Sequence, residues 1–158
     1  MNKPSFFHII VATGFGSGFS PVAPGTAGAL LATVIWGIFM FFFPYNMVWL
    51  LTAVLILVFT IGGIGAANHL EKFWGKDPSR VVVDEMVGVW IALLAVPEGG
   101  GVGYPLAAFV LFRLFDIFKP LGIRSMENFK GGVGVMMDDI LAGVYSFILL
   151  AGFKWLIG

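Results

Sequence analysis

Cysteine is absent from this sequence of 158 residues, and charged residues are scarce. The absence of cysteine excludes a thiol nucleophile, a disulfide framework and thiolate metal sites. Only 11% of the residues are charged and 59% are hydrophobic, whereas a soluble domain has about 25% charged and about 45–50% apolar residues. Between Pro4 and Leu70 there is no Asp, Glu, Lys or Arg at all. A water-soluble surface could hardly be built from such a stretch, so the composition predicts an integral membrane protein.

The formal net charge is zero, so we expect no nucleic-acid partner. The bilayer is the expected surrounding, and no feature of the sequence points to a protein partner. The length of the chain predicts one membrane-embedded domain covering residues 1–158.

Apolar runs separated by turns predict an all-α fold, a compact helical membrane bundle with about five membrane-embedded helices. A membrane span needs about 20 apolar residues. A short apolar segment at residues 4–12 predicts an additional N-terminal interfacial helix. The third and fourth runs are short for complete spans, and partial immersion is the alternative. The five predicted helices are Ala27–Phe43, Met47–Ala67, Val81–Val96, Leu106–Phe118 and Ile140–Ile157.

Charge is concentrated in the stretch from Arg113 to Asp139, which holds eight of the eighteen formally charged residues. Charges beside membrane-like sequence are costly and often mark a functional site. Lys and Arg residues also gather on one predicted side of the membrane. The positive-inside rule predicts that this side is cytoplasmic.

Five carboxylates lie at predicted helix ends on that side: Asp84, Glu85, Asp116, Asp138 and Asp139. Acidic residues favour helix N-termini, so capping is one interpretation, especially for Asp138 and Asp139 at the predicted start of the last helix. Converging carboxylates repel one another unless a cation is present, and hard oxygen ligands suit Mg²⁺. The alternative interpretation is therefore a magnesium site.

Basic and glycine-rich segments provide possible phosphate contacts on the same side. Arg113, Asp116 and Lys119 follow at intervals of three residues near a predicted helix end. The loop at residues 13–25 is rich in glycine, and Thr26 is predicted to be the N-cap of the first long helix. Backbone N–H groups at a helix N-terminus bind anions.

Four segments resemble the phosphatidylglycerophosphatase A family: ATGFGSGFSPVAPGTAGAL, VVVDEMVG, FRLFDIFKP and GGVGVMMDDILAGVYS. The resemblance covers nearly the whole chain in order. It implies an all-α membrane protein of the bacterial cytoplasmic membrane. It also implies Mg²⁺-dependent hydrolysis of phosphatidylglycerophosphate to phosphatidylglycerol and phosphate. The positions that match the family's acidic residues are Asp84, Glu85, Asp116, Asp138 and Asp139.

The site expected from these patterns faces the cytoplasm and joins the carboxylates to a set of phosphate-binding groups. The carboxylates are the expected metal ligands and catalytic groups. One of them would activate water, or an aspartyl-phosphate would form; the residues leave both routes open. The expected phosphate-binding residues are Gly25, Thr26, Arg113, Lys119 and Arg124.

An alternative function is a small membrane cation transporter or channel that uses the acidic cluster as an ion pathway. Transport sites usually lie near the middle of the membrane. The acids here lie near predicted helix ends beside Lys and Arg, which favours a phosphate site.

Overall fold

The computed structural model describes residues 2–158, and over this range it contains helices and no strand. The all-α prediction is therefore confirmed. Two short 3₁₀ helices, Ser17–Phe19 and Ile123–Asn128, lie in the connections. The α-helices are α1 (Phe6–Ala12), α2 (Pro24–Phe42), α3 (Tyr45–Trp74), α4 (Val83–Leu93), α5 (Gly103–Phe118) and α6 (Gly131–Ile157).

Three of these helices, α2, α3 and α6, are long and apolar enough to cross a membrane. They contain 19, 30 and 27 residues. The 11 residues of α4 extend only ~17 Å at 1.5 Å per residue, far less than the ~30 Å hydrocarbon core of a bilayer. The third predicted span is thus a short helix held inside the bundle, and α5, with 16 residues, is also shorter than a usual span.

Helix α4 lies at the centre of the molecule. All of its residues except Glu85 and Ile91 are buried. A helix that is apolar around its whole circumference is stable only when other elements enclose it, and here α2, α3, α5 and α6 all contact α4. The indole N–H of Trp90 donates a buried hydrogen bond to the carbonyl oxygen of Ala32 on α2, at 2.9 Å.

The last helix begins at Gly131, nine residues before the predicted start. Its glycines are part of the helix rather than of a loop. They allow α6 to pack closely against α3, because a Cβ added to Gly132 would lie 2.2 Å from the carbonyl oxygen of Ile64. The side-chain oxygen of Asn68 accepts a hydrogen bond from the Gly132 N–H at 2.6 Å. Asp138 and Asp139 therefore lie about two turns inside α6, and the prediction that they begin the helix, together with the capping interpretation, is wrong.

The prediction that Thr26 is the N-cap of the first long helix is also wrong. Helix α2 begins at Pro24, and Ala23 occupies the N-cap in a left-handed conformation with φ 45°. Proline is favoured in the first turn because its missing N–H would have no helical partner there. Gly25 and Thr26 are the next two residues, and their N–H groups belong to the first turn, where no intrahelical acceptor exists.

Candidate active site

The five predicted carboxylates converge on one place in the fold. Asp84, Glu85 and Asp139 form one group, and Asp116, Asp138 and Asp139 form another; within each group the carboxylate oxygens lie within 4.8 Å of one another. Asp139 belongs to both groups and joins them into one cluster, which we call the carboxylate cluster. Residues from α4, α5 and α6 that are far apart in sequence thus meet, as the sequence predicted.

The carboxylate cluster is buried and incompletely hydrogen-bonded. Asp139 is only 1% exposed, and Asp84, Asp116 and Asp138 are also buried. One carboxylate oxygen on each of Asp84, Glu85, Asp138 and Asp139 is buried without a hydrogen-bond partner. Buried ionised oxygens are costly unless they are paired or coordinate a metal. A positively charged ligand bound here would satisfy such oxygens, so the cluster can hold a metal ion.

Glycines bring α4 and α6 close enough for their carboxylates to meet. A Cβ added to Gly143 of α6 would lie 2.4 Å from the carbonyl oxygen of Gly88 on α4. A Cβ added to Gly88 would lie 2.7 Å from the carbonyl oxygen of Asp139. The two backbones therefore touch, and this contact sets Asp139 beside the first turn of α4. The spacing of these glycines gives no signal in the sequence that they face each other.

Lys119 and Arg113 supply positive charge at the edge of the cluster. Lys119 Nζ lies 2.6 Å from Asp138 Oδ2 and 3.4 Å from Asp116 Oδ1. Arg113 forms an ion pair with Asp116. The predicted association of these basic residues with the acids is present, and both side chains keep 17% of their surface exposed. They can therefore contact a ligand that enters from outside.

Lys119 ends α5 in a left-handed conformation, with φ 50°. Pro120 follows and disfavours a further helical residue, so the chain turns sharply there. Burial lowers the pKa of Lys119, but the hydrogen bond from its ammonium group to Asp138 and the charges of Asp138, Asp139 and Asp116 outweigh this and raise the pKa above its ordinary value. Lys119 therefore keeps its charge at neutral pH.

Gly25 lies against the cluster from the side of α2. A Cβ added there would be 2.8 Å from Glu85 Oε1 and 3.4 Å from Arg113 Nη1. Gly25 thus lies beside Glu85 and Arg113, and Thr26 follows it in the first turn of α2. Only glycine leaves this contact free of a clash.

Arg124 is placed differently from the other predicted phosphate-binding residues. It lies exposed on the second 3₁₀ helix and forms no salt bridge with the described acidic residues. The structure therefore does not bring Arg124 into contact with the carboxylate cluster.

The donor set fits a hard divalent cation. Every ligand offered is a carboxylate oxygen, which is the chemistry preferred by Mg²⁺. The buried oxygens that lack partners are the atoms that such an ion would satisfy. Asp139, shared by both groups, is the central candidate ligand.

A pocket of about 270 Å³ lies next to the cluster. We call it the α3–α6 pocket; its lining includes Glu71 at the end of α3, Lys76 and Asp77 in the following loop, Glu127 of the second 3₁₀ helix and Gly134 of α6. The charged residues of this lining carry no signal in the sequence, because charged residues at helix ends and in loops usually indicate only a solvated surface.

The carboxylate cluster affects the pKa of Asp77, which lines this pocket. Asp77 is an exposed residue, yet partial desolvation of its carboxyl group and the negative charges of Asp84 and Asp138 raise its pKa to about 6. The charge of Lys119 acts in the opposite direction. The pocket and the cluster are therefore electrostatically coupled.

The chain is similar to known proteins along nearly its whole length. Residues 10–154 match the family model described as phosphatidylglycerophosphatase A. A phosphatidylglycerophosphatase A from Escherichia coli is 38% identical over 94% of this chain and 86% of its own length. One from Haemophilus influenzae is 37% identical over 92% of this chain and 88% of its own length.

A Bacteroides thetaiotaomicron protein, provisionally named as a phosphatidylinositol-3-phosphatase, is 65% identical over the full length of both chains. No solved structure matches the chain.

Proposed function

The chain belongs to the phosphatidylglycerophosphatase A family, and from this premise we propose that it hydrolyses phosphatidylglycerophosphate to phosphatidylglycerol and phosphate. The observation that carries the proposal is the carboxylate cluster, with four unpartnered buried oxygens beside Lys119 and Arg113. A cation pathway would explain the acids but not the two basic side chains attached to them. Family membership also disfavours the transporter or channel alternative.

Lys119, Arg113 and the first turn of α2 are the proposed phosphate-binding groups. A phosphomonoester at the cluster's edge would meet the ammonium group of Lys119 and the guanidinium group of Arg113, both partly exposed. The N–H groups of Gly25 and Thr26 have no helical acceptor, and Gly25 lies next to Glu85 and Arg113. Fixed donors of this kind stabilise the charge that develops during phosphoryl transfer.

The carboxylates are the proposed magnesium ligands: Asp84, Glu85, Asp116, Asp138 and Asp139. When bound, Mg²⁺ would supply Lewis-acid stabilisation of phosphate charge and favour ionisation of a bound water. A carboxylate not engaged with the ion is the proposed proton acceptor for the attacking water. The alternative role, as a nucleophile that forms an aspartyl-phosphate, uses the same residues.

The proposed setting is the bacterial cytoplasmic membrane, with the whole chain acting as one phosphatase domain. The carboxylate cluster would face the cytoplasm. Lipid tails would then stay in the bilayer while the headgroup reaches the cluster from the interface.

The test of the proposed function is phosphate release from phosphatidylglycerophosphate by the purified full chain in detergent or lipid. We expect release with Mg²⁺ and loss of release after chelation, followed by recovery when Mg²⁺ is restored. A well-folded protein that releases no phosphate under any of these conditions would show the proposal to be wrong. Release that persists in the presence of chelator would retain the phosphatase and reject the magnesium dependence.

Phosphatidylinositol 3-phosphate is a second candidate substrate. The Bacteroides relative carries this activity in its name, and the α3–α6 pocket of about 270 Å³ has room for a headgroup larger than glycerol. Direct competition between the two lipids in one vesicle preparation separates the candidates. We expect the higher kcat/KM for phosphatidylglycerophosphate, and the reverse ranking would make the inositol lipid the substrate.

A further inference from the structure

The α3–α6 pocket has the size of a small-molecule site. Its volume of about 270 Å³ is near the lower end of the ~300–1,000 Å³ range of ligand pockets. Three elements form its walls: the end of α3, the loop that follows it, and the start of α6 with the preceding segment. It is the space adjoining the carboxylate cluster into which the rest of a bound headgroup could extend.

Side-chain contacts connect the pocket to the cluster. Glu127, which lines the pocket, has its Oε1 3.8 Å from Lys119 Nζ. The same ammonium group lies 2.6 Å from Asp138 Oδ2. Gly134 lines the pocket and precedes Asp138 by four residues on α6, so the two lie on one face of the helix.

Asp138, one helical turn beyond the pocket-lining Gly134, has an unsatisfied buried atom. The residue is 6% exposed, and its Oδ1 has no hydrogen-bond partner. Asp138 belongs to the carboxylate cluster, so the cluster and the pocket lie one helical turn apart along this face of α6.

The polar lining suits hydroxyl groups better than a second phosphomonoester. Glu71, Asp77 and Glu127 offer carboxylate acceptors, and Lys76 is the basic residue of the lining. Hydroxyl groups donate strong hydrogen bonds to carboxylates, whereas a dianionic phosphate would be repelled by three acids. Lys76 matches the single negative charge of a phosphodiester.

We infer that the α3–α6 pocket binds the polyol part of the lipid headgroup while the terminal phosphate lies at the carboxylate cluster. In phosphatidylglycerophosphate the single free hydroxyl of the headgroup glycerol donates a hydrogen bond to Glu71 or Asp77, and Lys76 contacts the phosphodiester. Free glycerol 3-phosphate has a second hydroxyl, which donates to the other carboxylate. The inference rests on the proposed function, because it assumes that a phosphomonoester occupies the cluster. It assigns headgroup selectivity to residues outside the carboxylate cluster.

Ligand binding tests the inference without requiring turnover. The full chain, purified in detergent with Mg²⁺, would be titrated calorimetrically with inorganic phosphate and, separately, with glycerol 3-phosphate. We expect glycerol 3-phosphate to bind about tenfold more tightly, the effect of one good hydrogen bond to a charged group. Glu71→Ala and Asp77→Asn should reduce this preference about threefold or more each, without weakening phosphate binding, because the loss of a nearby negative charge can only favour an anion.

The choice of variants protects the test from folding artefacts. Asp77 has φ 48°, and Asn tolerates this left-handed conformation, so the backbone should remain in place. Glu98→Ala is the matched control, because Glu98 is an exposed acid in the loop between α4 and α5 and does not line the pocket. It should retain the full preference for glycerol 3-phosphate.

Four results would overturn the inference: equal affinity for the two ligands in the unaltered protein, no binding of glycerol 3-phosphate, equal loss of both ligands in the pocket variants, or an unchanged preference in them. Loss of Mg²⁺-induced thermal stabilisation in the variants, with the preference intact, would identify a cation site instead. Parallel phosphate-release assays keep the two proposals distinct. If the protein prefers glycerol 3-phosphate but releases no phosphate from the lipid, only the proposed function is rejected. If it releases phosphate but shows no preference for glycerol 3-phosphate, only the pocket assignment is rejected.

Discussion

Asp139 has the most constrained environment of any residue in the cluster. It is 1% exposed, belongs to both carboxylate groups and has a buried oxygen without a partner. Buried like charges destabilise a fold unless a cation compensates them. We therefore propose that Asp139 serves cation binding rather than stability.

We therefore predict opposite effects of Asp139→Asn on activity and on stability without metal. The substitution removes one negative charge at nearly constant volume, so the melting temperature in chelator should rise. Mg²⁺ should then stabilise the variant less than the unaltered protein, and kcat should fall by about 10²–10³-fold, as when a major electrostatic group is removed from an active site. Thermal unfolding with and without Mg²⁺, together with phosphate release, checks all three effects.

Glu98→Gln serves as the matched control for this substitution, because its side chain is exposed outside the cluster. It should change neither activity nor the response to Mg²⁺. Full activity of Asp139→Asn would remove Asp139 from the site.

Arg113 and Arg124 provide a second comparison at the residue scale. Arg113 pairs with Asp116 and lies near Gly25, whereas Arg124 is exposed without a salt bridge to the described acids. We predict that Arg113→Ala lowers kcat/KM about 10²-fold and that Arg124→Ala changes it less than about threefold, as expected for an exposed charge outside a site. An equal loss of kcat/KM in the two variants would show that Arg124 does belong to the phosphate-binding residues.

At the scale of elements, the contact between α4 and α6 determines where the acids meet. Gly88 and Gly143 allow the two backbones to touch, and Asn68 fixes the start of α6 through its bond to the Gly132 N–H. The bond from Asn68 lies before Asp138 and Asp139 on α6, and the Gly88–Gly143 contact lies about one turn after them. Together they fix the position of the two aspartates. Small residues at helix contacts are characteristic of membrane bundles, where close packing replaces the hydrophobic driving force.

Gly88→Ala should therefore disturb the site through the helix contact. Its Cβ would lie 2.2 Å from the Phe112 ring and 2.7 Å from the carbonyl oxygen of Asp139, so α6 or Phe112 must move. Overpacking of this kind costs about 1–3 kcal/mol. We predict a lower melting temperature together with loss of most activity, measured on the same purified sample.

Gly65→Ala on α3 is the control for this helical glycine substitution, since nothing lies within 4 Å of its added Cβ. It should be neutral or should stabilise the protein by up to about 1 kcal/mol. A Gly88→Ala variant that behaves like this control would contradict the proposed role of the contact.

At the scale of the whole molecule, the cluster lies at one end of the bundle. The 27 residues of α6 extend ~40 Å, longer than the ~30 Å hydrocarbon core, and Asp138 and Asp139 occur in its first half. The end of α3 and the start of α6 are on the same side, because Asn68 contacts Gly132. This placement agrees with a headgroup site at the membrane interface.

The absence of cysteine permits a clean test of orientation. Ser125→Cys places one thiol on the exposed second 3₁₀ helix near the cluster, and Glu98→Cys places one in the exposed loop between α4 and α5. In intact bacterial cells, a membrane-impermeant maleimide should label the Glu98 variant and spare the Ser125 variant. The reverse pattern would place the cluster outside the cytoplasm; labelling in inverted vesicles is the control for thiol reactivity.

Much of the candidate site could be predicted because its charges are conspicuous in an apolar chain. Asp84, Glu85, Asp116, Asp138 and Asp139 were all selected from sequence, and they do converge. Glu71, Lys76 and Asp77 were not selected, since only the fold shows that they line one pocket. The start of α6 was misplaced because glycines in a helix contact resemble glycines in a loop when the neighbouring helix is unknown.

The sequence by itself determined the class of protein, the number of principal helices and the grouping of the acidic residues. These properties depend on hydropathy and on spacing along the chain, which are local. The tertiary structure alone decided that α4 is the enclosed central helix, that Asp139 joins two groups of acids and that the glycines are packing residues. Those properties depend on which backbones approach each other, and close approach between distant segments leaves no periodic pattern in either segment.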